Sequence, residues 1–238
     1  MKADGQDRMT TMESQFERVG ESFSPDLLLV SRLKTWNALE RIRASVCIGE
    51  SEEEANRRAL SILSDLGVDR SWHRPVVRFG TNTTKGFREL SEPGVRLKSD
   101  DIFFVDIGPI WDGHEGDAGE TFIVGRGPHP EAYRCARDSK AVFQLVKEKW
   151  LSDGLSGQAL YAHAEKITAE IGWKLCGEIA GGHRLSDFPH ALHSKEHLIN
   201  FGQAPQTLRW VLEIQIRHPK LEYGAFYEDL LLEGEETR

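Results

Sequence analysis

Three cysteines in 238 residues, Cys47, Cys135 and Cys176, are too few, too widely spaced and odd in number for a disulfide framework. That excludes a small cross-linked secreted scaffold and makes a reducing, cytoplasmic setting the expectation. No apolar run approaches the roughly 20 residues of a membrane-spanning helix, and the start, Met1 to Glu21, is polar with no signal-peptide core. Excess positive charge is missing too. Thirty Lys and Arg against 38 Asp and Glu leave −8, so neither nucleic acid nor an anionic membrane is an expected partner. Short-period repeats, low-complexity tracts and linkers are absent as well. What is present is ordinary for a globule, 39% hydrophobic and 29% charged. Residues 1–24, polar and aperiodic, are expected to form a loose, flexible arm. Residues 25–238 are long enough to bury a large core as one domain.

Periodicity places the elements. From Pro25, Leu28, Leu29, Leu33, Trp36, Leu39, Ile42 and Val46 recur at helical spacing. Arg32, Lys34, Arg41 and Arg43 fall between them, as on a wet face. Ser51 before Glu52, Glu53 and Glu54 reads as an N-cap with acids in the first turn of a second helix, which stops at Gly67. Strands are expected at 74–79, 102–107, 109–112 and 120–124, helices at 129–151 and 156–171, and late strands at 175–180, 209–217 and 224–233. Helix pairs alternating with hairpins imply an α+β fold with a largely antiparallel sheet. The tryptophans are scattered, which suits core or interface positions. Cys176 has no local base and reads as a small buried hydrophobe.

Chemistry concentrates in residues 103–122. Asp106 ends the apolar run Ile102 to Val105, a glycine-punctuated hairpin follows, and Asp117 precedes the next run, Thr121 to Val124. Two readings are open for this pair: acids of a solvated hairpin, since Asp-Gly and Glu-Gly are common turn pairs, or buried acids with something positive between them. His183, Glu213 and Glu228 lie downstream. Glu213 alone reads as a surface residue of an alternating strand whose other face is Trp210, Leu212, Ile214 and Ile216. Four carboxylates and one imidazole on a β scaffold together suggest a pair of divalent cations.

The five residues, in order, resemble the pattern of the pita-bread metallopeptidases, the M24 group that contains methionine aminopeptidase, Xaa-Pro aminopeptidase, prolidase and creatinase. Val105-Asp106-Ile107-Gly108, Gly116-Asp117 eleven residues on, Gly182-His183, Leu212-Glu213-Ile214 and Tyr227-Glu228-Asp229 each match, over roughly residues 30–235. The resemblance implies two pseudo-symmetric αββ halves around a curved sheet, with the metals between them. It implies that Asp106 binds one metal, that Asp117 and Glu228 bridge both, and that His183 and Glu213 hold the other. Glu213 would also take the proton of the attacking water. The metals would be Mn, Fe, Co or Zn. His190, seven residues after His183, matches the histidine that hydrogen-bonds the substrate carbonyl or the tetrahedral intermediate. The segment Glu222–Asp229 is similar to a strand of the Xaa-Pro group, without the separate amino-terminal domain of its larger members, so a small stand-alone relative is expected.

Departures touch the substrate rather than the ligands. In Phe79-Gly80-Thr81-Asn82-Thr83-Thr84-Lys85-Gly86-Phe87, Phe87 stands where the family has a histidine that protonates the leaving nitrogen. His73 or Lys85 are the candidates to replace it, and His73 reads equally as a pocket wall or a core histidine. Glu120 stands where an arginine is common, and Arg184 where glycine is usual. The expected function is a dinuclear-metal-dependent hydrolase of a peptide or amide C–N bond, Xaa-Pro aminopeptidase-like, with a small peptide or amide substrate placed by His190, Phe87 and His73. The alternatives are a creatinase-like enzyme for a small modified amino acid, or a non-catalytic module that binds a peptide or protein partner. A homodimer is expected because relatives of this size often pair and the Trp-bearing first helix offers an apolar face.

Overall fold

The structure, a computed structural model, describes residues 15–234. Helix α1 (Pro25–Ser45) begins at Ser24, whose hydroxyl accepts from Leu27 N–H, and Pro25 occupies the first turn, where a missing N–H costs nothing. Helix α2 (Glu52–Asp65) carries a full capping box. The Ser51 hydroxyl accepts from Glu54 N–H, and the Glu54 carboxylate accepts from Ser51 N–H. Four strands follow: β1 (Ser71–Phe79), β2 (Asp101–Trp111), β3 (His114–Glu115) and β4 (Ala118–Val124). Two more helices, α3 (Ala132–Asp153) and α4 (Gly157–Glu170), precede β5 (Lys174–Leu175), β6 (His183–Arg184), β7 (Trp210–Arg217) and β8 (Gly224–Leu230). Two helices and then strands, twice over, is the order expected of paired halves.

All eight strands join one antiparallel sheet along the path β1-β2-β4-β8-β7-β5, with β3 on β2 and β6 on β7. The halves meet where β4 pairs with β8. Strand alternation then divides each segment by face. Phe103, Val105 and Ile107 of β2, Leu212, Ile214 and Ile216 of β7, and Ala225 and Tyr227 of β8 enter the main core with α1 to α4. Residues next to them in the strands, Asp106, Glu213 and Glu228, line a cavity on the other face.

Several expectations change. The run 109–112 is no separate strand, because β2 continues to Trp111 and Pro109 falls at a register irregularity of β1, where proline is tolerated. The run 175–180 is strand only at Lys174–Leu175, since the N–H groups of Ile179 and Ala180 turn back onto Cys176 O. The helix expected from residue 129 starts at Ala132, after Pro130. Arg32, expected in water, is buried and donates from Nε and Nη2 to the two oxygens of Asp229, at 2.7 and 2.5 Å. Trp36 is likewise buried, donating to Asp229 and stacking on Tyr227, so it offers no surface for dimer formation.

Residues 1–14 of the expected arm lie outside the described residues. Residues 15–24 are tied down. Glu17 Oε1 accepts from Trp210 Nε1 and Gln206 N–H, both at 2.7 Å. The Arg18 carbonyl accepts from Arg184 Nη2, and Asp187 accepts from Gly20 N–H and Ser22 Oγ. The polarity that reads as looseness is spent in these bonds.

Candidate metal centre

The acids are assembled by sheet register. Asp106 pairs with Gly119, Gly119 with Glu228, and Glu228 with Glu213, a row straight across β2, β4, β8 and β7. Asp117 immediately precedes β4, and His183 opens β6 opposite Val211. Gly119 keeps the row open, because a Cβ there would lie 2.7 Å from Glu228 Oε1 and 2.5 Å from the Phe226 ring.

These residues line a cavity of about 700 Å³ whose walls include Trp72, His73, Phe87 and His190. Asp117 is its centre. His73 Nε2 lies 3.3 Å from Asp117 Oδ1 and 3.5 Å from Asp106 Oδ1. His183 Nε2 lies 2.9 Å from the other oxygen, Asp117 Oδ2. One carboxylate therefore faces two clusters, His73–Asp106–Asp117 and Asp117–His183–Glu228, and within each cluster the donor atoms lie within 4.8 Å of one another. Both imidazoles turn Nδ1 to a backbone carbonyl, Arg74 O and Arg184 O, each at 2.8 Å. With a proton on Nδ1, Nε2 presents a lone pair toward the acids.

The charge balance asks for a cation. Burial, with the neighbouring acids Asp117 and Glu213 and against the pull of His73, raises Asp106 to about 7. Burial and then Asp117 and Asp106 push Glu228 well above the usual carboxylate range. Glu213 is raised by burial, with His183 opposing. Asp117 alone is lowered, because His183 and His73 outweigh its burial. Burial lowers His183, but the Asp117 and Glu213 carboxylates carry it to about 9. Glu228 Oε1 is buried with no hydrogen-bond donor, and Asp117 Oδ2 meets only the His183 imidazole at 2.9 Å. An orphaned carboxylate oxygen among further acids and imidazole nitrogens fits divalent metals of the Mn to Zn series.

Glu213 lines the cavity, but its Oε2 accepts from Gly182 N–H at 2.6 Å and it stands outside both clusters. His190 is stacked 5.9 Å from His183 and is held at Nδ1 by Glu115 Oε2, at 2.7 Å. Phe87 is partly exposed at the rim, its ring edge-on to His73 at 5.4 Å. Two substrate expectations are corrected. Glu120 points to the helix side, where Lys140 Nζ donates to it at 2.9 Å, so it does not hold substrate. Lys85 is no stand-in donor, because its Nζ reaches Leu90 O and Glu92 rather than the cavity. Arg184, in place of glycine, is accommodated by pointing away from the cavity, toward Arg18 O and over Trp210.

Sequence reasoning missed Glu115, Trp72 and Arg78. Glu115 is buried and accepts from both His190 N–H and the His190 ring. Its signal was the i, i+2 relation to Asp117. Trp72 meets three imidazole rings, those of His73, His183 and His190. Arg78 is buried and donates to Gly86 O and Glu89 O, which fixes the segment bearing Phe87. Cys176 is buried, and burial pushes its thiol up to about 11, as befits a packing residue. A hollow of about 870 Å³ between α1 and the β2–β3 turn holds no such donor cluster.

The profile of metallopeptidase family M24 matches residues 32–232. Among solved structures, the chain is similar to a prolidase from Thermococcus sibiricus (TM-score 0.73, 17% identity, 95% of this chain and 60% of that one). It is also similar to an X-Pro aminopeptidase from Thermotoga maritima (TM-score 0.71, 14%, 94% and 62%). A methionine aminopeptidase from the same organism gives 0.70 and 17%, with 91% of this chain and 96% of that one covered. The chain spans about three fifths of the length of the prolidases from Thermococcus sibiricus and Pyrococcus horikoshii, 60% and 63%. No curated protein sequence matches it. The fold is the pita-bread fold these structures share.

Proposed function

Because the chain belongs to metallopeptidase family M24, we propose that it is a dinuclear-metal hydrolase of a peptide or amide C–N bond, Xaa-Pro aminopeptidase-like but with an altered substrate. The observation that carries this reading is Asp117, whose two oxygens face two separate clusters of acid and imidazole. In this reading Asp106, Asp117, Glu228, His183 and Glu213 would hold the cations, with manganese among the candidate metals. Bound cations would lower the pKa of a shared water and offset the developing oxyanion. Glu213, half-buried in the same cavity, would take the proton of the attacking water. His190, fixed at Nδ1 by Glu115, keeps Nε2 for the substrate carbonyl.

Phe87 and Trp72 form an apolar wall where a proton donor is expected. That wall favours, as a second reading, a small amide or modified amino acid with an apolar or aromatic group. The test is a metal-loaded assay across free-amine peptides, amino-terminally blocked peptides and small amides, scored by mass. Slow turnover of plain Xaa-Pro and Met-starting peptides is expected, with faster turnover of an apolar or aromatic amide. Fast cleavage of a plain Xaa-Pro peptide contradicts the altered specificity. No turnover by metal-loaded protein, with ligand affinity unchanged in His190→Ala, favours a binding module instead.

Two further expectations belong to this reading. The unpaired Cys47, Cys135 and Cys176 support a cytoplasmic setting, and no helix among the described residues is long and apolar enough to cross a membrane. Leu27, Val30 and Leu33 form an exposed apolar stripe on α1 that suits a homodimer. Sedimentation of a single species near 26.9 kDa at micromolar concentration counts against it.

A further inference from the structure

His73 is aimed by a distortion of β1. Val76 pairs with Asp106 and His73 with Gly108, so three residues advance on β1 while two advance on β2. That extra residue is a β-bulge, and it reverses the side on which the preceding side chains emerge. Without it, His73 would point into the helix-covered core. With it, His73 shares the face of Asp106. Gly108 completes the arrangement, because a Cβ there would lie 2.1 Å from the His73 ring. The fold has made room for this imidazole at two independent places.

What the ring does there follows from its two nitrogens. Its Nδ1 is engaged by Arg74 O at 2.8 Å, the same arrangement His183 makes with Arg184 O at 2.8 Å. Such a bond to a backbone carbonyl fixes the tautomer and orientation of a metal-ligating histidine. Its Nε2 stands 3.5 Å from Asp106 Oδ1 and 3.3 Å from Asp117 Oδ1. Ligands about 2.1 Å from a tetrahedral ion lie about 3.4 Å apart, which both of these separations match, and the three residues' donor atoms lie within 4.8 Å of one another. The two imidazoles approach opposite oxygens of Asp117, one on each side.

We propose that His73 is a sixth protein ligand, bound to the cation held by Asp106, so that each of the two metal positions has its own imidazole. The proposal rests on the reading of the site as a metal pair. A second imidazole shifts the donor set toward zinc and cobalt and away from manganese. Phe87, edge-on to the same ring, then shields this ligand from solvent.

The test uses intact protein labelled with ¹⁵N in its imidazoles, titrated with Zn²⁺ and followed by NMR, with calorimetry in parallel. Both the His73 and His183 Nε2 resonances are expected to move to metal-bound positions as two equivalents bind. In His73→Ala, one of the two Zn²⁺ sites is expected to weaken by at least about 100-fold, beyond what loss of an outer partner causes, with the Mn²⁺ titration changing less. Two equivalents of Zn²⁺ bound with the His73 resonance unmoved overturn the proposal and leave the metal pair standing. So do unchanged affinities in the variant. Wild-type protein that binds no Zn²⁺ overturns both. The resonance measurement needs no variant, so misfolding of His73→Ala does not obscure the result.

Discussion

Glu228 and Asp229 are neighbours on β8, both buried, and they face opposite sides of the sheet. Asp229 meets Arg32 in a two-point ion pair and also accepts from Trp36 Nε1. Glu228 faces Asp117, Asp106 and Glu213, and its pKa is driven up by burial and by those acids. One carboxylate carries its own counter-cation in the sequence. The other is surrounded by further acids. A buried acid that the protein neutralises is structural, whereas acids left to repel one another are held in place for something that arrives from outside.

The contrast is sharpest at Asp117. Asp117→Ala removes the residue that faces both clusters, and activity in a metal-loaded peptide or amide assay is expected to fall on the order of 1,000-fold or more, several kcal/mol of transition-state stabilisation. Asp106→Ala is expected to cost less. On the other face, Asp229→Ala strands a buried Arg32 and is expected to destabilise by about 3–5 kcal/mol in urea unfolding, whereas joint replacement of Arg32 and Asp229 by apolar residues of similar volume recovers most of that. Glu228→Gln is expected to change the stability of metal-free protein by less than about 1 kcal/mol, while weakening metal binding. If Glu228→Gln destabilises as much as Asp229→Ala, the distinction between the two faces collapses.

The pH dependence of metal-free protein sharpens the same comparison. Raised folded pKa values stabilise below the unfolded value, and that stability is lost as pH rises through the folded one. Asp106, raised from 3.8 to about 7, and His183, raised from 6.5 to about 9, both act in this sense, as do Glu228 and His73 by direction. Asp117, lowered, opposes them only as pH falls below its ordinary value of 3.8. Metal-free protein is therefore expected to lose on the order of 5–10 °C of Tm between the ordinary Asp106 value of 3.8 and the His183 value of about 9. Metal-saturated protein is expected to keep its Tm above pH 6. A rise in metal-free Tm across that range contradicts the charge balance described here. The smallest effect belongs to Glu115→Gln, expected to lower kcat roughly tenfold with little change in KM, part of the 10²–10⁴-fold a positioned acid or base supplies. A pH–rate profile of the same shape as wild type points to packing rather than to control of His190.

Residues whose partners are near in sequence, or whose spacing is periodic, were legible without coordinates. The Ser51 N-cap and the alternation that sets Glu213 opposite Leu212 and Ile214 follow from local pattern, and the acids were marked by the family motif. Arg32 was not, because a helical arginine reads as solvated until a strand 197 residues away presents Asp229. His73 was legible only as pocket wall or core histidine, since the bulge that turns it to the cavity depends on pairing. Glu115 looked like a turn acid beside Gly116, yet it holds His190 across 75 residues. The segment after Leu175 has strand composition, but its N–H groups turn back onto Cys176 O. For Arg32, His73 and Glu115 the deciding partner is distant in the chain, whereas the turn after Leu175 is closed by a carbonyl three to four residues back.

Metal content measures most directly whether the acid face is built for two cations. Protein purified without chelator, saturated with Mn²⁺ or Zn²⁺ and freed of excess ion, is expected to retain about two equivalents per chain by elemental analysis. The Asp117→Ala variant is expected to retain far fewer, and Asp229→Asn, if folded, is expected to retain both. Less than about 0.2 equivalents in wild-type protein at saturation contradicts a face built for metal.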